Sequence, residues 1–248
     1  MPFVTAGDPD LGFTAKAIAK ITEAGADMIE VGFPFSDPIA DGPVIQASYT
    51  RALDRGLKLD EVFQCLRGVL TKPDWKTPVV GMVSYSLIWR HGPAKFIEHA
   101  QASGLSGAVV PDLPVEEADE FAQLTRERDF KLILLWTPTT TPQRAEKIVK
   151  LCSGFLYCVS IVGITGERTT IPESLQQQLR QVRTMTELPL CVGFGVSRPE
   201  HVKQLREFAD GVIVGSALVR KLESAKDKPA EALESIGALV RELAGALN

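Results

Sequence analysis

The chain has 248 residues, of which 45% are hydrophobic and 23% charged, and its formal net charge is −4. This balance is typical of a globular protein with enough apolar side chains to fill a core. The slight acidity argues against binding to nucleic acid or to an anionic membrane, because both partners attract basic surfaces. No apolar run reaches the roughly 18 residues that a membrane-spanning helix needs. The first residues also lack the pattern of a secretory signal peptide.

The cysteines indicate a reducing compartment. The chain has four cysteines, Cys65, Cys152, Cys158 and Cys191. None of them forms a CxxC pair or has a histidine at the spacing of a metal site. Such cysteines are expected to be reduced thiols rather than disulfides or metal ligands. We therefore predict a cytoplasmic protein, or a plastid protein if a transit peptide has been removed.

Short β-rich apolar runs alternate with segments of helical periodicity along the whole chain. The predicted strands are Phe3–Thr5, Met28–Gly32, Val79–Val83, Gly107–Val110, Leu132–Trp136, Phe155–Ser160, Leu190–Gly193 and Gly211–Val214. The predicted helices are Phe13–Ala24, Leu59–Leu70, Ala94–Ala102, Val115–Arg128, Pro142–Leu151, Pro172–Thr184, Pro199–Phe208 and Pro229–Leu247. A further short helix is expected after the eighth strand, beginning at Gly215-Ser216.

Eight alternating pairs predict an α/β fold, a single (β/α)8 TIM barrel over residues 1–248. The strands are almost continuously apolar, as expected for a parallel sheet buried on both faces. An open doubly wound sheet is the competing fold. It would carry a GxGxxG motif after the first strand, where this chain has Ala6-Gly7-Asp8-Pro9. In a barrel, catalytic residues lie at the carboxyl ends of the strands and in the loops that follow them.

Glu30 is the leading catalytic candidate because it is the only acid inside the second predicted strand. A carboxylate there loses its hydration, so its pKa should rise into the range useful for a general acid or base. A structural glutamate paired with a cation is the alternative, but no basic residue ends a neighbouring predicted strand. Strand alternation puts Glu30 on the same face as Gly32, where the missing side chain should leave space.

Asp41 is the second catalytic candidate. It lies in a loop over residues 33–43 that is stiffened by three prolines. Asp-Pro and Asp-Gly pairs are also common turn formers, and for Asp37 the two interpretations stay open.

Glycine-rich loops predict a phosphate site. Gly193–Ser197 follows the seventh strand, Gly215-Ser216 follows the eighth, and Gly163–Gly166 follows the sixth. Barrels often bind phosphate with the loops after strands seven and eight, where backbone amides reach the anion.

Metal-dependent and Schiff-base chemistry are not expected. The three histidines lie in or beside predicted helices, whereas a metal-dependent aldolase would place them at strand ends. No lysine lies inside a predicted strand, as a Schiff-base aldolase would require. We therefore predict no catalytic metal.

One long segment, Ile29–Pro43, resembles the sequence motif of the tryptophan synthase alpha chain family. It contains both carboxylates, eleven residues apart. Further segments that are similar to this family are Pro2–Pro9, Val110–Pro114, Val159–Gly166 and Val192–Ser197.

The resemblance implies a metal-free and cofactor-free retro-aldol cleavage of indole-3-glycerol phosphate to indole and glyceraldehyde 3-phosphate. Glu30 would be the general acid/base, and Asp41 would hold the indole N–H. Thr165 would bond Asp41 when its loop closes, and Tyr157 would line the site. The full set of implied substrate-binding residues is Phe3, Tyr157, Thr165, Gly166, Phe194, Gly195, Gly215 and Ser216.

The resemblance also implies a partner, a beta chain that carries pyridoxal phosphate (PLP) and forms an alpha2-beta2 complex. The residues implied to face it are Pro34, Asp37, Pro38, Asp112 and Pro114. A free-standing indole-releasing lyase and a catalytically silent allosteric partner of the beta chain are the alternatives. The sequence departs from the family twice: no helix precedes the first strand, and Met82–Leu87 differs from the usual third-loop motif.

Overall fold

The computed structural model describes residues 1–39, 41–160, 171–193 and 195–247. Its strand segments are β1 (Phe3–Thr5), β2 (Ile29–Gly32), β3 (Val79–Met82), β4 (Gly107–Val109), β5 (Lys131–Ile133), β6 (Leu135–Trp136), β7 (Leu156–Val159), β8 (Leu190–Gly193) and β9 (Gly211–Val212). Its helices are α1 (Leu11–Glu23), α2 (Pro43–Leu53), α3 (Leu59–Leu70), α4 (Tyr85–His91), α5 (Pro93–Ala102), α6 (Asp119–Glu127), α7 (Pro142–Leu151), α8 (Glu173–Arg183), α9 (Pro199–Leu205), α10 (Ser216–Leu222) and α11 (Pro229–Gly245).

The strands are parallel and pair in chain order, β1 to β5 in one sheet and β6 to β9 in another. The two sheets meet where β5 and β6 form one strand interrupted at a single residue, Leu134. On one side, Val110 N donates to Ile133 O at 3.2 Å, and on the other, Tyr157 N donates to Leu134 O at 3.2 Å. This strand therefore joins the two sheets.

The opposite edges of the two sheets are joined at the start of the chain. Pro2 forms a parallel bridge with Val214, and Phe3 N donates to Val214 O at 2.9 Å. Eight barrel strands thus follow one another around a closed ring, with buried side chains on both faces. The predicted (β/α)8 fold is confirmed.

Most predicted elements lie within a few residues of the observed ones, but three predictions were wrong. Val115–Arg128 is not one helix: it divides into a 3₁₀ turn at Val115–Glu117 and the α-helix α6. Two helices were missed altogether, α2 and α4. Helix α2 follows a loop rich in prolines, which conceals its periodicity, and α4 has only seven residues, too few to show one.

Helix α2 is hydrogen-bonded to β1 and to the loop that follows β1. Thr5 Oγ1 and Ser48 Oγ are 2.6 Å apart and share a buried hydrogen bond. Arg51 donates two hydrogen bonds to the carboxylate of Asp8, whose side chain is 3% exposed. These contacts fix the position of Tyr49, which lies between Ser48 and Arg51 on the same helix and is buried.

None of the described helices is both long and apolar enough to cross a membrane. All four cysteines lie in the described ranges as free thiols; Cys152 and Cys158 are buried, and Cys65 and Cys191 are partly exposed.

Candidate active site

A cavity of about 910 Å³ opens at the carboxyl ends of the strands. The predicted site residues that line it are Phe3, Glu30, Asp41, Tyr157, Gly195, Gly215 and Ser216, together with Asp112 and Pro114. Three predicted residues, Thr165, Gly166 and Phe194, lie outside the described residues. The structure therefore gathers around one cavity side chains that are separated by up to 213 positions in the sequence.

Glu30 is deeply buried in this cavity. It lies on β2 between Phe3 of β1 and Val80 of β3, and it is 1% exposed. Its Oε1 atom has no hydrogen-bond partner among the described residues. Burial raises the pKa of Glu30 to about 8, and the nearby carboxylate of Asp41 adds to the rise. Near neutral pH, Glu30 therefore holds a proton that it can give to a bound ligand.

The space at Gly32 is not empty, contrary to the expectation from alternation. A methyl group at this position would lie 2.4 Å from Phe3 Cζ and 2.6 Å from Tyr49 Oη. Gly193 plays the same part on β8, where a methyl group would lie 2.5 Å from Tyr157 Oη. The two glycines therefore make room for the aromatic rings around the Glu30 carboxyl group, rather than for the ligand.

Asp41 is half-buried at the end of its loop, just before α2. Its backbone amide donates to Pro38 O at 3.2 Å, and Gln46 of α2 donates to Asp41 O at 2.8 Å. Burial raises the pKa of Asp41 to about 7, and the carboxylate of Asp112 adds to the rise. Within the described ranges, neither Asp41 nor Glu30 has a salt-bridge partner. This argues against the alternative of a structural ion pair.

Two tyrosines complete the surroundings of the carboxylates. Burial raises the pKa of both Tyr49 and Tyr157, and the negative charges of Glu30 and Asp41 raise them further. Both hydroxyls therefore remain protonated at any physiological pH. Tyr49 was not predicted, because it belongs to the missed helix α2.

The cavity also has groups suited to an anion. Gly195, which lines it, has a φ of +84°, a conformation that favours glycine. Gly215, Ser216 and Arg220 follow strand β9 and line the same region. Arg220 was missed because a single arginine on a short helix is usually a solvated surface residue. Arg144 also lines the cavity, but its charge is paired with Glu116 at 2.9 Å.

The residues predicted to face a partner are in mixed positions. Asp37 and Pro114 are exposed, Pro38 is partly exposed, and Pro34 is buried. Asp112 has surroundings that the sequence did not indicate. It lines the catalytic cavity, and it accepts hydrogen bonds from the start of α4.

Comparisons with known proteins identify the family. The family model described as tryptophan synthase alpha chain matches residues 1–248. The chain belongs to the tryptophan synthase alpha chain family. A curated relative, the tryptophan synthase alpha chain of Rhodopirellula baltica, is 53% identical over 229 residues, which are 92% of this chain and 82% of the relative. The corresponding Synechocystis protein is 45% identical over 249 residues, covering 100% and 93% of the two chains.

Solved structures of the tryptophan synthase alpha chain family have the same fold. A structure of the Pyrococcus furiosus tryptophan synthase complex contains a chain with a TM-score of 0.90 and 42% identity, covering 98% of this chain and 96% of that one. The alpha subunit of Legionella pneumophila gives a TM-score of 0.90 at 36% identity, with 99% and 91% covered. The resemblance inferred from the sequence is thus confirmed.

Proposed function

We propose that this chain is a lyase that cleaves indole-3-glycerol phosphate to indole and glyceraldehyde 3-phosphate in tryptophan biosynthesis. One observation carries the proposal: Glu30 and Asp41 line a single cavity, and within the described residues neither has a salt-bridge partner and the buried Oε1 of Glu30 has no hydrogen-bond partner. A retro-aldol cleavage of an indole needs a proton delivered to carbon and a negative charge near the ring nitrogen. The pair Glu30 and Asp41 supplies both.

The chemistry needs a proton at indole C3 and a base at the glycerol hydroxyl. Glu30 as the acid donates its proton to C3, and the ring becomes a cationic indolenine whose N–H is stabilised by the Asp41 carboxylate. Glu30, now a carboxylate, removes the proton of the adjacent hydroxyl. The carbon–carbon bond breaks, its electrons restore the indole ring, and the hydroxyl carbon becomes the aldehyde. Every proton that Glu30 donates is recovered in the same cycle.

The protonation states suit these roles. The pKa of Glu30 is raised to about 8 and that of Asp41 to about 7. Since Asp41 ionises at a lower pH than Glu30, an acid next to a carboxylate is the favoured form between these values. The rings of Tyr157 and Phe3 line the cavity and form the apolar wall against which the flat indole packs.

We assign the phosphate of the substrate to the glycine-containing loops and the arginine that line the cavity. Gly195, Gly215 and Ser216 offer backbone amides and a hydroxyl there, and the side chain of Arg220 offers a positive charge. The family resemblance alone adds Gly166 to the phosphate site, Thr165 as the residue that bonds Asp41 when its loop closes, and Phe194 as a further substrate-binding residue. The proposed reaction uses no metal or organic cofactor in this chain, and we place the protein in the cytoplasm.

We further propose a beta chain, itself carrying PLP, as the partner that receives indole in an alpha2-beta2 complex. Ile39 is 84% exposed and Trp89 is 66% exposed, which is unusual for large apolar residues. Ile39 belongs to the loop of Asp37 and Pro38, and these three residues line one small pocket together with Asp112. Trp89 lies on α4, which begins beside Asp112. These exposed apolar residues therefore adjoin the predicted partner residues.

The test is the release of indole from indole-3-glycerol phosphate by the wild type and by Glu30→Gln, with and without an added beta chain. Glu30→Gln should reduce turnover by about 10²–10⁴-fold, the contribution of a positioned general acid/base. Glu242→Gln, at an exposed site on α11, is the matched control and should retain full activity. Unchanged cleavage by Glu30→Gln would refute the mechanism. Full activity of the wild type without a beta chain would favour a free-standing lyase, and no cleavage in either condition would favour a silent partner.

A further inference from the structure

Three metal-ligating side chains converge outside the catalytic cavity. Asp60 lies in the first turn of α3, His91 is the last residue of α4, and His99 lies within α5. One donor atom from each side chain lies within 4.8 Å of the other two. Asp60 is exposed, and both histidines are partly buried.

The distance between the histidine nitrogens suits a shared metal ion. His91 Nε2 and His99 Nδ1 are 3.2 Å apart. Two nitrogens at about 2.0–2.1 Å from a tetrahedral zinc ion lie roughly 3.3–3.4 Å from each other, which is close to the observed separation. Two imidazoles and one carboxylate are a common ligand set for borderline divalent metals, whereas Mg²⁺ prefers oxygen ligands alone.

Aromatic packing holds the two imidazoles in place. The ring of Phe63 lies 6.0 Å from the ring of His91 and 5.8 Å from that of His99. The ring centroid of Phe96 lies 6.5 Å from that of His91 and 5.6 Å from that of Phe63. Because the rings are already ordered, binding a metal costs little of the side-chain entropy that free surface histidines would lose.

A plain hydrogen bond between the two histidines is the simpler explanation of their distance. It requires one nitrogen to carry a proton, whereas a metal uses a lone pair from each. The hydrogen bond does not account for the third donor, Asp60, whose negative charge favours a cation at this position. Lys95 is the nearby positive charge that acts against a cation, and its side chain is exposed, so it can turn into solvent.

We propose that Asp60, His91 and His99 bind one divalent transition-metal ion of the zinc class, with water as a fourth ligand. The ion would link α3, α4 and α5 at the outer surface of the barrel. Of the three helices, α4 is stabilised most by this link, because it has only seven residues. Its opposite end carries Ser84 and Tyr85, which hold Asp112 at the catalytic cavity. The site therefore stabilises the support of that cavity without taking part in the chemistry.

The experiment is a calorimetric titration of the metal-free, untagged chain with Zn²⁺, followed by thermal unfolding. We expect saturable binding of one ion per chain and a rise in Tm of about 5–10 °C when Zn²⁺ exceeds its Kd by 100-fold. Mg²⁺ should give neither effect. His91→Gln, His99→Gln and Asp60→Asn should each weaken the binding and the Tm rise. The neighbouring exposed substitution Glu98→Gln should leave both unchanged.

Two results would overturn the proposal. One is the absence of saturable Zn²⁺ binding by the folded wild-type chain. The other is Zn²⁺ binding that persists unchanged in His91→Gln and His99→Gln, since the ion would then occupy another site. Co²⁺ is an independent probe, because its visible absorption is intense only in a tetrahedral site with protein ligands. That absorption should appear with the wild type and with Glu98→Gln, and be lost in His99→Gln.

Discussion

Ser84 Oγ donates a hydrogen bond of 2.6 Å to Oδ2 of Asp112. The backbone amide of Tyr85 donates a second bond of 2.7 Å to Oδ1. Asp112 is therefore held in the lining of the cavity, and its charge raises the pKa of Asp41. Ser84 belongs to the segment that departs from the third-loop motif of the family. This segment therefore positions a carboxyl group that acts on Asp41.

Asp112→Asn should lower the pKa of Asp41, because the substitution removes a negative charge beside it. If Asp41 works as a carboxylate, the acidic limb of the profile of kcat/KM against pH should move to lower pH, while the alkaline limb stays in place. Asp37→Asn, at an exposed aspartate of the neighbouring loop, is the control and should move neither limb. An acidic limb that does not respond to Asp112→Asn would exclude this electrostatic link.

The wild-type enzyme should show a bell-shaped dependence of kcat/KM on pH. Asp41 is needed ionised, so activity should fall as the pH drops below about 7. Glu30 is needed protonated, so activity should also fall as the pH rises above about 8. Initial rates of indole release at low substrate, measured from pH 5.5 to 9.5, report these free-enzyme pKa values. A profile that keeps rising above pH 9 would contradict the role of Glu30 as an acid.

Glu30→Gln should stabilise the fold although it strongly reduces turnover. The folded-state pKa of about 8 exceeds the ordinary value of 4.5. The unfolded chain therefore releases a proton that the folded chain keeps between these pH values. Wild-type stability consequently decreases as the pH rises through this window, and a neutral glutamine escapes the loss. The gain should approach a few kcal/mol above pH 8.

Urea unfolding at pH 5 and pH 8.5 measures this effect. The difference in the free energy of unfolding between Glu30→Gln and the wild type should grow with pH, whereas Glu242→Gln should show no such trend. A Glu30→Gln protein that is less stable than the wild type at pH 8.5 would show that the carboxylate is paired in solution.

Gly32→Ala should damage both stability and activity. The new methyl group would lie 2.4 Å from the ring of Phe3, and overpacking of a buried site costs about 1–3 kcal/mol. The displaced rings of Phe3 and Tyr49 adjoin Glu30, so kcat should fall as well. Gly68→Ala is the matched control, because this exposed glycine lies within α3 and a methyl group there meets nothing within 4 Å. The control should be neutral or slightly stabilising.

Trp89→Ser should weaken binding of the proposed beta chain. Large aromatic residues dominate the binding energy of many interfaces, and we expect a loss of affinity of about 10-fold or more. Leu247→Ser removes a similarly apolar but distant side chain that is 39% exposed, and it should leave the affinity unchanged. Analytical ultracentrifugation of the mixed chains provides the measurement. Equal affinities of the two variants for the beta chain would show that α4 is not part of the interface.

The alternation of strands and helices was visible in the sequence because each strand is apolar and each long helix is amphipathic. Glu30 could be found for the same reason, since a lone acid contrasts with its apolar strand. Tyr49 could not be found, because its helix begins among the prolines of a loop that also has a turn-forming pattern. The pairing of Ser84 with Asp112 was equally hidden: it joins residues 28 positions apart, and no local pattern encodes such a contact.

The closure of the barrel between Pro2 and Val214 has a consequence for biosynthesis. Strand β1 is made more than 200 residues before Val214, which closes its second edge. Until then the edge of β1 that faces away from β2 is open to pairing with other nascent chains. Chaperone capture during translation should therefore concentrate on the first five strands, and shortened chains ending before residue 214 should aggregate.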